Sequence, residues 1–374
     1  MRFESTSAAV DASGPRYGIL TSDEQLLPLR EPWERLWTEA GAECFLTFAS
    51  MYQSWRSIHR PQGAFLRCAV AWNGERLQGV LPMVMRRYGL WTFATTCGPR
   101  AAECCDMLIE DSAASPGIAV GLLRNFLALA RPDYLDLEFV KIGSHLQLAI
   151  DSVAGPRIIE TWDEQIPYAD LKAETQWSSY VHSLGKRYRG HTARRNRQLH
   201  ELGRVTIEIV QGRPTELIAW LFAHKRKWSE RTNKRGYWVF SPHYEEFITT
   251  LFASDPRYLV FALKLDDVPI AVKLLAINSS SASGVISAYD EQFKRFAPGS
   301  VLDEGMMEHL FENYRSADGR HLDVSFGPGI EPFKLHWSRG NAHPARSYRI
   351  VTSRWGAARL RAKHAIASIR RRRR

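Results

Sequence analysis

The sequence predicts an α/β (α+β) protein made of two copies of one unit, each a mixed, mostly antiparallel sheet flanked by helices. Three observations carry this. Matching segments recur in one order in the two halves. Each half reads helix, strand, two-residue turn, strand, then Pro-Gly and a helix. Both copies close on a short apolar strand containing Leu-Asp.

The first match sets "FASMYQSWRSI" from Phe48 against "FSPHYEEFITT" from Phe240, with Phe48, Tyr52 and Trp55 spaced as Phe240, Tyr244 and Phe247. "LRCAVAWNGERLQGVLPMV" from Leu66 then matches "LVFALKLDDVPIAVKLLAI" from Leu259. Both read as hairpins, turning at Asn73-Gly74 and at Asp266-Asp267. Pro116-Gly117 matches Pro298-Gly299, and Asp136 in "YLDLEFV" matches Asp323 in "HLDVSFG". A helix after Pro298 can cover the sheet with a wide apolar stripe of Leu302, Met306, Met307, Leu310, Phe311 and Tyr314.

The segment between the halves has no counterpart. "ETQWSSYVHSLGKRYRGHTARRNRQLHELG" reads as two helical stretches ending at Gly203. "VTIEIV" alternates as a strand. "TELIAWLFAHKRKW" returns to helix, with Thr215 as its expected N-cap.

Composition bounds the function. Residues 1–16 lack the apolar core of a signal peptide, and no apolar run approaches the ~20 residues of a spanning helix. Five cysteines without C-x-x-C spacing point to a reducing compartment. His182, His191, His200 and His224 have no ligand spacing, so no metal is expected. The net charge of +10 is concentrated in the last 22 residues, which hold nine Lys/Arg and no acid. The body is nearly neutral and the tail is a basic appendage.

The stretch "RFAPGSVLDEGMMEHLFENY", 295–314, hands a strand over to a helix. Pro298 presets a turn, Gly299 frees the backbone and Ser300 can cap. This is either an ordinary strand-to-helix turn or a place where free N–H groups at a helix start receive a phosphate. Asp303 and Glu304 follow closely. They suit the helix dipole and repel a phosphate at short range. Tyr289-Asp290 ends the preceding strand, where backbone groups could hold a thioester carbonyl or simply finish a core strand.

Acyl transfer needs a base, donors for an oxyanion and an acid for the leaving group. "DVSFGPGIEPFKLHW" offers Asp323, Glu331 and Lys334 around a Gly-Pro-Gly turn. Glu331 is a candidate base or a loop salt bridge. Lys334 is a candidate anion or oxyanion ligand, or a surface lysine paired with Glu331 or Asp323. Asp323 also belongs to the repeat, and a residue shared by both copies is better explained by shared fold. The run 186–204, with Lys186, Arg187, Arg189, Arg194, Arg195, Arg197 and Arg204, is a solvated helix face or the anion-binding wall of an acceptor groove. Tyr188, Trp228, Tyr237 and Trp238 could stack on sugars or belong to the core.

"LGKRYRGHTARRNRQLHELG", "AYDEQFKRFAPGSVLDEGMM" and "LDVSFGPGIEPFKLHW" together resemble GNAT-superfamily acyltransferases of the cellulose- or exopolysaccharide-biosynthesis acetyltransferase type, related to FemAB-like proteins. The similarity spans roughly 45–340 and is strongest over 168–338. It implies tandem GNAT-like lobes and acyl transfer from acetyl-CoA or another acyl-CoA to an amine or hydroxyl acceptor, without a metal. By the same resemblance Arg295, Pro298, Gly299 and Ser300 would hold the donor, and Tyr289, Asp290, Glu331 and Lys334 the reacting groups. Arg187, Arg194, Arg195, Trp228 and Asp323 would hold a sugar, lipid-linked or peptide-like acceptor.

FemAB-like relatives take aminoacyl-tRNA as donor, and a non-catalytic GNAT-fold binding protein is the alternative outside enzymes. The expected organisation is a flexible terminus over 1–20, an N-terminal lobe over 21–165, a C-terminal lobe with the working site over 166–345, and a basic helix or tail over 346–374. The expected location is the cytoplasm. The tail would make a peripheral contact with the inner face of the membrane, and nucleic acid is the less favoured partner for its charge.

Overall fold

The computed structural model describes residues 14–99, 105–154, 158–172, 174–233, 236–316 and 318–359. In chain order the N-terminal copy holds β1 (Arg16–Leu20), α1 (Asp23–Leu26), α2 (Arg30–Ala40), α3 (Phe48–Ser54), β2 (Phe65–Leu66), β3 (Cys68–Asn73), β4 (Arg76–Leu81), β5 (Met83–Tyr88), β6 (Trp91–Thr96), β7 (Leu108–Ile109), α4 (Ser115–Ala130), β8 (Tyr134–Lys141), α5 (His145–Ala154) and β9 (Ile158–Asp170). The C-terminal copy follows with α6 (Trp177–Ser183), α7 (Lys186–His200), β10 (Val205–Gln211), α8 (Thr215–Thr232), α9 (Pro242–Ser254), β11 (Tyr258–Leu265), β12 (Val268–Ile277), β13 (Ser281–Tyr289), α10 (Pro298–Asn313), β14 (Asp323–Ser325), α11 (Pro332–Ser338) and β15 (Ala342–Val351).

The C-terminal strands run in the order β10-β11-β12-β13-β14, antiparallel except for the final β13–β14 pair. The N-terminal copy has the same order once two bends are recognised. β2 and β3 are one strand interrupted at Arg67. β4 and β5 are one strand interrupted at Pro82, which has no N–H to give to the ladder. With those bends the order is β1, β2/β3, β4/β5, β6, β8, again closing on a parallel pair. In each copy a 16-residue helix near whose start Pro-Gly stands, α4 or α10, makes the crossover between the parallel strands.

The copies then exchange strands. β9 leaves the N-terminal copy and pairs with β14, β15 leaves the C-terminal copy and pairs with β8, and β9 and β15 pair with each other. The repeated aspartates mark these junctions. Asp136 on β8 lies 3.9 Å from Arg349 on β15, and Asp323 on β14 lies 2.5 Å from Lys172, just past β9. Each copy's Leu-Asp thus meets a cation brought by the other copy's strand.

Among the described residues, four large apolar clusters form layers against the sheets. α4 and α10 each cover one face of their sheet. α2 and α3 cover the opposite N-terminal face, and α8 and α9 the opposite C-terminal face. Tyr258 donates to the Cys44 carbonyl and Asn278 to that of Ala42, so the link between α2 and α3 is tied to the C-terminal sheet.

Several local expectations are corrected. Residues 16–20, expected in a flexible terminus, are strand β1 because they extend the ladder of β3. The boundaries expected at 165/166 and 345/346 fall inside β9 and β15, because these two strands tie the lobes together. The first hairpin turns at Gly74-Glu75, with Asn73 still paired to Arg76 and Gly74 at φ 58°. The second turns where expected, at Asp266 and Asp267, both with positive φ. Thr215 is the first residue of α8 and Pro214 its cap. Ser300 is the third residue of α10, whose cap is Ala297 at φ 45°. Cys104 and the tail from 360 lie outside the described residues.

Candidate active site

The C-terminal sheet opens where its parallel pair ends. β14 pairs with β13 only from Ser281 to Ser283, then stops at Ser325, while β13 runs on to Tyr289. Between Leu274 and Leu275 the β12–β13 register slips, leaving Val285 as an extra residue. A bulge at that point increases twist and turns the strand away from its neighbour. Beyond Ser283, β12 is the one strand that pairs with β13 among the described residues, so the edge that β14 leaves faces a wedge.

The far wall of the wedge is the loop after β14. Phe326 N–H donates to Pro167 and Gly329 N–H to Gln165, both on β9. Gly327 and Gly329 adopt φ of 72° and 102°, a region that favours glycine. Lys334, buried on α11, folds back under the loop. Its ammonium donates to the Pro328 carbonyl at 2.6 Å and the Gly327 carbonyl at 3.3 Å, and pairs with Glu331 at 3.0 Å. Glu331 itself is exposed at the cap of α11.

A second buried lysine approaches from the opposite side. Lys273 on β12 pairs with Asp303 on α10 at 2.6 Å, and its ammonium lies 5.4 Å from the Phe326 ring centre. Its stem crosses β13 at Gly284. A Cβ at that glycine would stand 3.4 Å from Lys273 Cε and 3.5 Å from the Ser325 carbonyl. Two buried cations thus flank Phe326–Pro328 at the point where the strands part. Each is paired with a carboxylate, Lys273 with Asp303 and Lys334 with Glu331, so together they fix the loop at this point.

Asp303 is therefore turned into the protein and neutralised there, so the repulsion of a phosphate expected from it is removed. Glu304 is half-buried, and burial first, then Glu308, raises its carboxyl above the ordinary range.

At the other end of β13, the Tyr289 ring lies beside the start of α10, 3.9 Å from where a Gly299 Cβ would be. Burial, then Glu291, raises its phenol. Asp290 accepts from the Gln292 N–H and stands 3.9 Å from His224 Nε2 on α8. α8 covers the other face here. Lys225 donates to the Ser287 carbonyl at 3.0 Å and lies 4.5 Å above the Trp228 ring. Arg295 is exposed, its guanidinium over Phe296. α7 packs against α10 and the turn 291–296. This sets Arg194, exposed, and Arg195, half-buried, on a helix adjoining the turn. The side chains of Lys186, Arg187, Tyr188, Arg189 and Tyr237 lie outside the described residues.

Of the residues expected to act, the structure gathers Tyr289, Asp290, Arg295, Pro298, Gly299 and Ser300 at the β13–α10 turn. Glu331 and Lys334 sit at the loop across the wedge. Asp323 lies at the opposite end of β14, paired with Lys172. Sequence reasoning missed Lys273 and Lys225, and gave Asp303 and His224 other roles, as a charge near the helix start and as a histidine without ligand spacing. A signal for the first was present: a lysine inside the otherwise apolar strand "PIAVKLLAI" must find a buried partner. Among the described residues no His, Cys, Asp and Glu are grouped to hold a metal ion.

Comparison with known proteins agrees with this geometry. Residues 186–335 match the acetyltransferase (GNAT) domain. FemX aligns over 89% of this chain and 98% of its own, with TM-score 0.58 and 11% identity. A tandem GNAT protein from the clavulanic acid biosynthesis pathway aligns over 90% and 99%, with TM-score 0.52 and 11% identity. The C-terminal domain of a putative lysylphosphatidylglycerol synthetase from Agrobacterium fabrum aligns over 91% and 96%, with TM-score 0.52 and 13% identity. No curated protein sequence matches the chain. β13, β14, the strand-to-helix turn and α7 all lie within the matched residues 186–335, and the chain as a whole shares the fold of a tandem GNAT protein.

Proposed function

We propose that the protein moves an acetyl or other acyl group from a coenzyme A thioester to an amine or hydroxyl acceptor, in cell-envelope or exopolysaccharide biosynthesis. One observation carries this reading: β13 and β14 pair for three residues and then part, leaving an unpaired strand edge that leads to the Pro298-Gly299 start of α10. An extended, amide-bearing donor arm can bond to such an edge as an added strand would. Its phosphates would then lie by the helix start, with Arg295 and the α7 arginines alongside. The donor carbonyl would fall between the two buried lysines. Glu331, on the loop beside Lys334, is the candidate base nearest that carbonyl, whereas Asp290, His224 and Trp228 stand at the other end of β13, by the helix start.

The envelope assignment rests on the motif resemblance. The charge of residues 353–374 supports a peripheral position at the cytoplasmic face of a membrane, beside lipid-linked acceptors. The described helices include none long and apolar enough to cross a bilayer.

A second reading, aminoacyl transfer from tRNA, is favoured by the basic helix α7 beside the turn and by the fold shared with FemX. Calorimetric titration separates the cases. Saturable binding of acetyl-CoA and coenzyme A supports the first reading. Binding of aminoacyl-tRNA without coenzyme A supports the second. Neither would leave a non-catalytic binding protein.

A further inference from the structure

We propose that the β5–β6 hairpin tip and the root of the C-terminal helix form one docking surface for an anionic lipid bilayer. The hairpin turns at Gly89-Leu90. Leu90 is 90% exposed and Tyr88 55%. Residues 354–359 are helical, and Trp355 on that helix is 78% exposed. The two elements share a corner. Arg359, one helical turn after Trp355, lies 4.5 Å above the Trp91 ring and 5.1 Å above Phe93. Tyr88 meets Phe93 edge-on at 5.3 Å, Phe93 stacks on Tyr134 at 4.8 Å, and Tyr134 donates to the Gly356 carbonyl. An aromatic stack therefore roots the helix on the hairpin, with Tyr88 at its exposed edge and Leu90 and Trp355 outside it.

The exposed charges beside the apolar side chains are positive. Arg87 and Arg354 are exposed beside the apolar side chains, and the chain runs on into Arg361, Lys363 and Arg370–Arg374. The acid within the stack's support, Asp133, is bonded to Thr92 and Ser353. A leucine at a protruding tip gives a phosphodiester backbone nothing to bind, which argues against nucleic acid. A convex point also suits a fluid surface better than a rigid partner. Large apolar and aromatic side chains ringed by arginines suit the headgroup boundary, where Trp and Tyr partition and cations meet anionic lipid.

For its electrostatic half this inference rests on the tail reading above; its apolar half does not. The test is co-sedimentation of the full chain with vesicles of phosphatidylcholine and phosphatidylglycerol, at low and high salt. Three variants are compared: Leu90→Glu with Trp355→Glu, Arg370–Arg374 changed together to glutamine, and Val268→Glu. The last alters an apolar side chain, 61% exposed, at the hairpin of the other lobe.

We expect the hairpin variant to bind at least tenfold more weakly than wild type, the arginine variant to bind weakly and lose its salt dependence, and Val268→Glu to bind as wild type. Wild-type binding by the hairpin variant, with loss only in the arginine variant, would overturn the docking surface and leave the tail reading standing. Equal loss on Val268→Glu, or displacement of wild type by polyuridine without an effect of the hairpin substitutions, would also overturn it. Absence of wild-type binding would overturn both membrane readings while leaving the coenzyme A titration untouched.

Discussion

Lys273 on β12 and Asp303 on α10 stand 2.6 Å apart with both side chains almost sealed from solvent, and they join the sheet to its crossover helix where β13 and β14 separate. Removing one partner leaves a buried charge with no counter-ion. Lys273→Met or Asp303→Leu alone should cost about 3–5 kcal/mol of stability, whereas the double substitution should recover most of it. Urea unfolding of the four proteins checks this. A double variant that folds well but no longer transfers acyl groups would assign the cation to the chemistry as well as to the fold.

Lys334 makes a different prediction. All of its contacts hold the loop: two carbonyls and Glu331. Lys334→Ala frees residues 327–331 and should cost about 1–3 kcal/mol. With the loop no longer fixed across the wedge, transfer should fall about 10²-fold. Thermal unfolding beside a transfer assay reads both effects. Full activity in Lys334→Ala would take the residue out of the mechanism.

The repeat and the mixed, mostly antiparallel sheet of each copy were legible because each copy spends its apolar residues in the same order, and Pro-Gly recurs where a helix starts. The strand exchange was not. β9 and β15 pair with the other lobe through backbone bonds, and their sequences carry no mark of which edge they will meet. The Leu-Asp match was visible, but its cause, a cation supplied by the exchanged strand, needed the fold. The turn at 289–300 and the loop at 327–334 could be read from Gly, Pro and charge. The Lys273–Asp303 pair could not, because residues thirty apart become partners only when α10 crosses β12.

Histidines set the acid response. Burial lowers His309, His321, His336 and His343 below their ordinary value of 6.5, with Arg315 adding to this at His321 and Lys141 at His343. Each resists protonation in the folded chain more than in the unfolded chain. Between 6.5 and the lowered values the unfolded state binds more protons, so stability falls as pH falls through that window. Glu304 and Glu308 act oppositely: burial raises them above 4.5, and protonation relieves the folded state. The melting temperature should therefore drop from pH 7.5 toward 5.5 and flatten below. His343→Gln, which removes a ring stacked 4.1 Å from Tyr168, should make the drop shallower. An unchanged slope in that variant would exclude His343 as a contributor.

Gly299 separates fold from donor binding. It is the second residue of α10, its φ is not in the left-handed region, and an added Cβ would meet Tyr289 at 3.9 Å, an ordinary contact. Alanine there should therefore stabilise the helix by about 0.5–1 kcal/mol, through the smaller entropy of the unfolded chain. If a donor phosphate rests on the backbone at the start of α10, the new methyl group stands in its approach. Gly299→Ala should then melt at a higher temperature and bind acetyl-CoA at least fivefold more weakly. A variant that is more stable and binds the donor as wild type would move the phosphates away from this turn. One that is less stable would show that glycine serves the fold here.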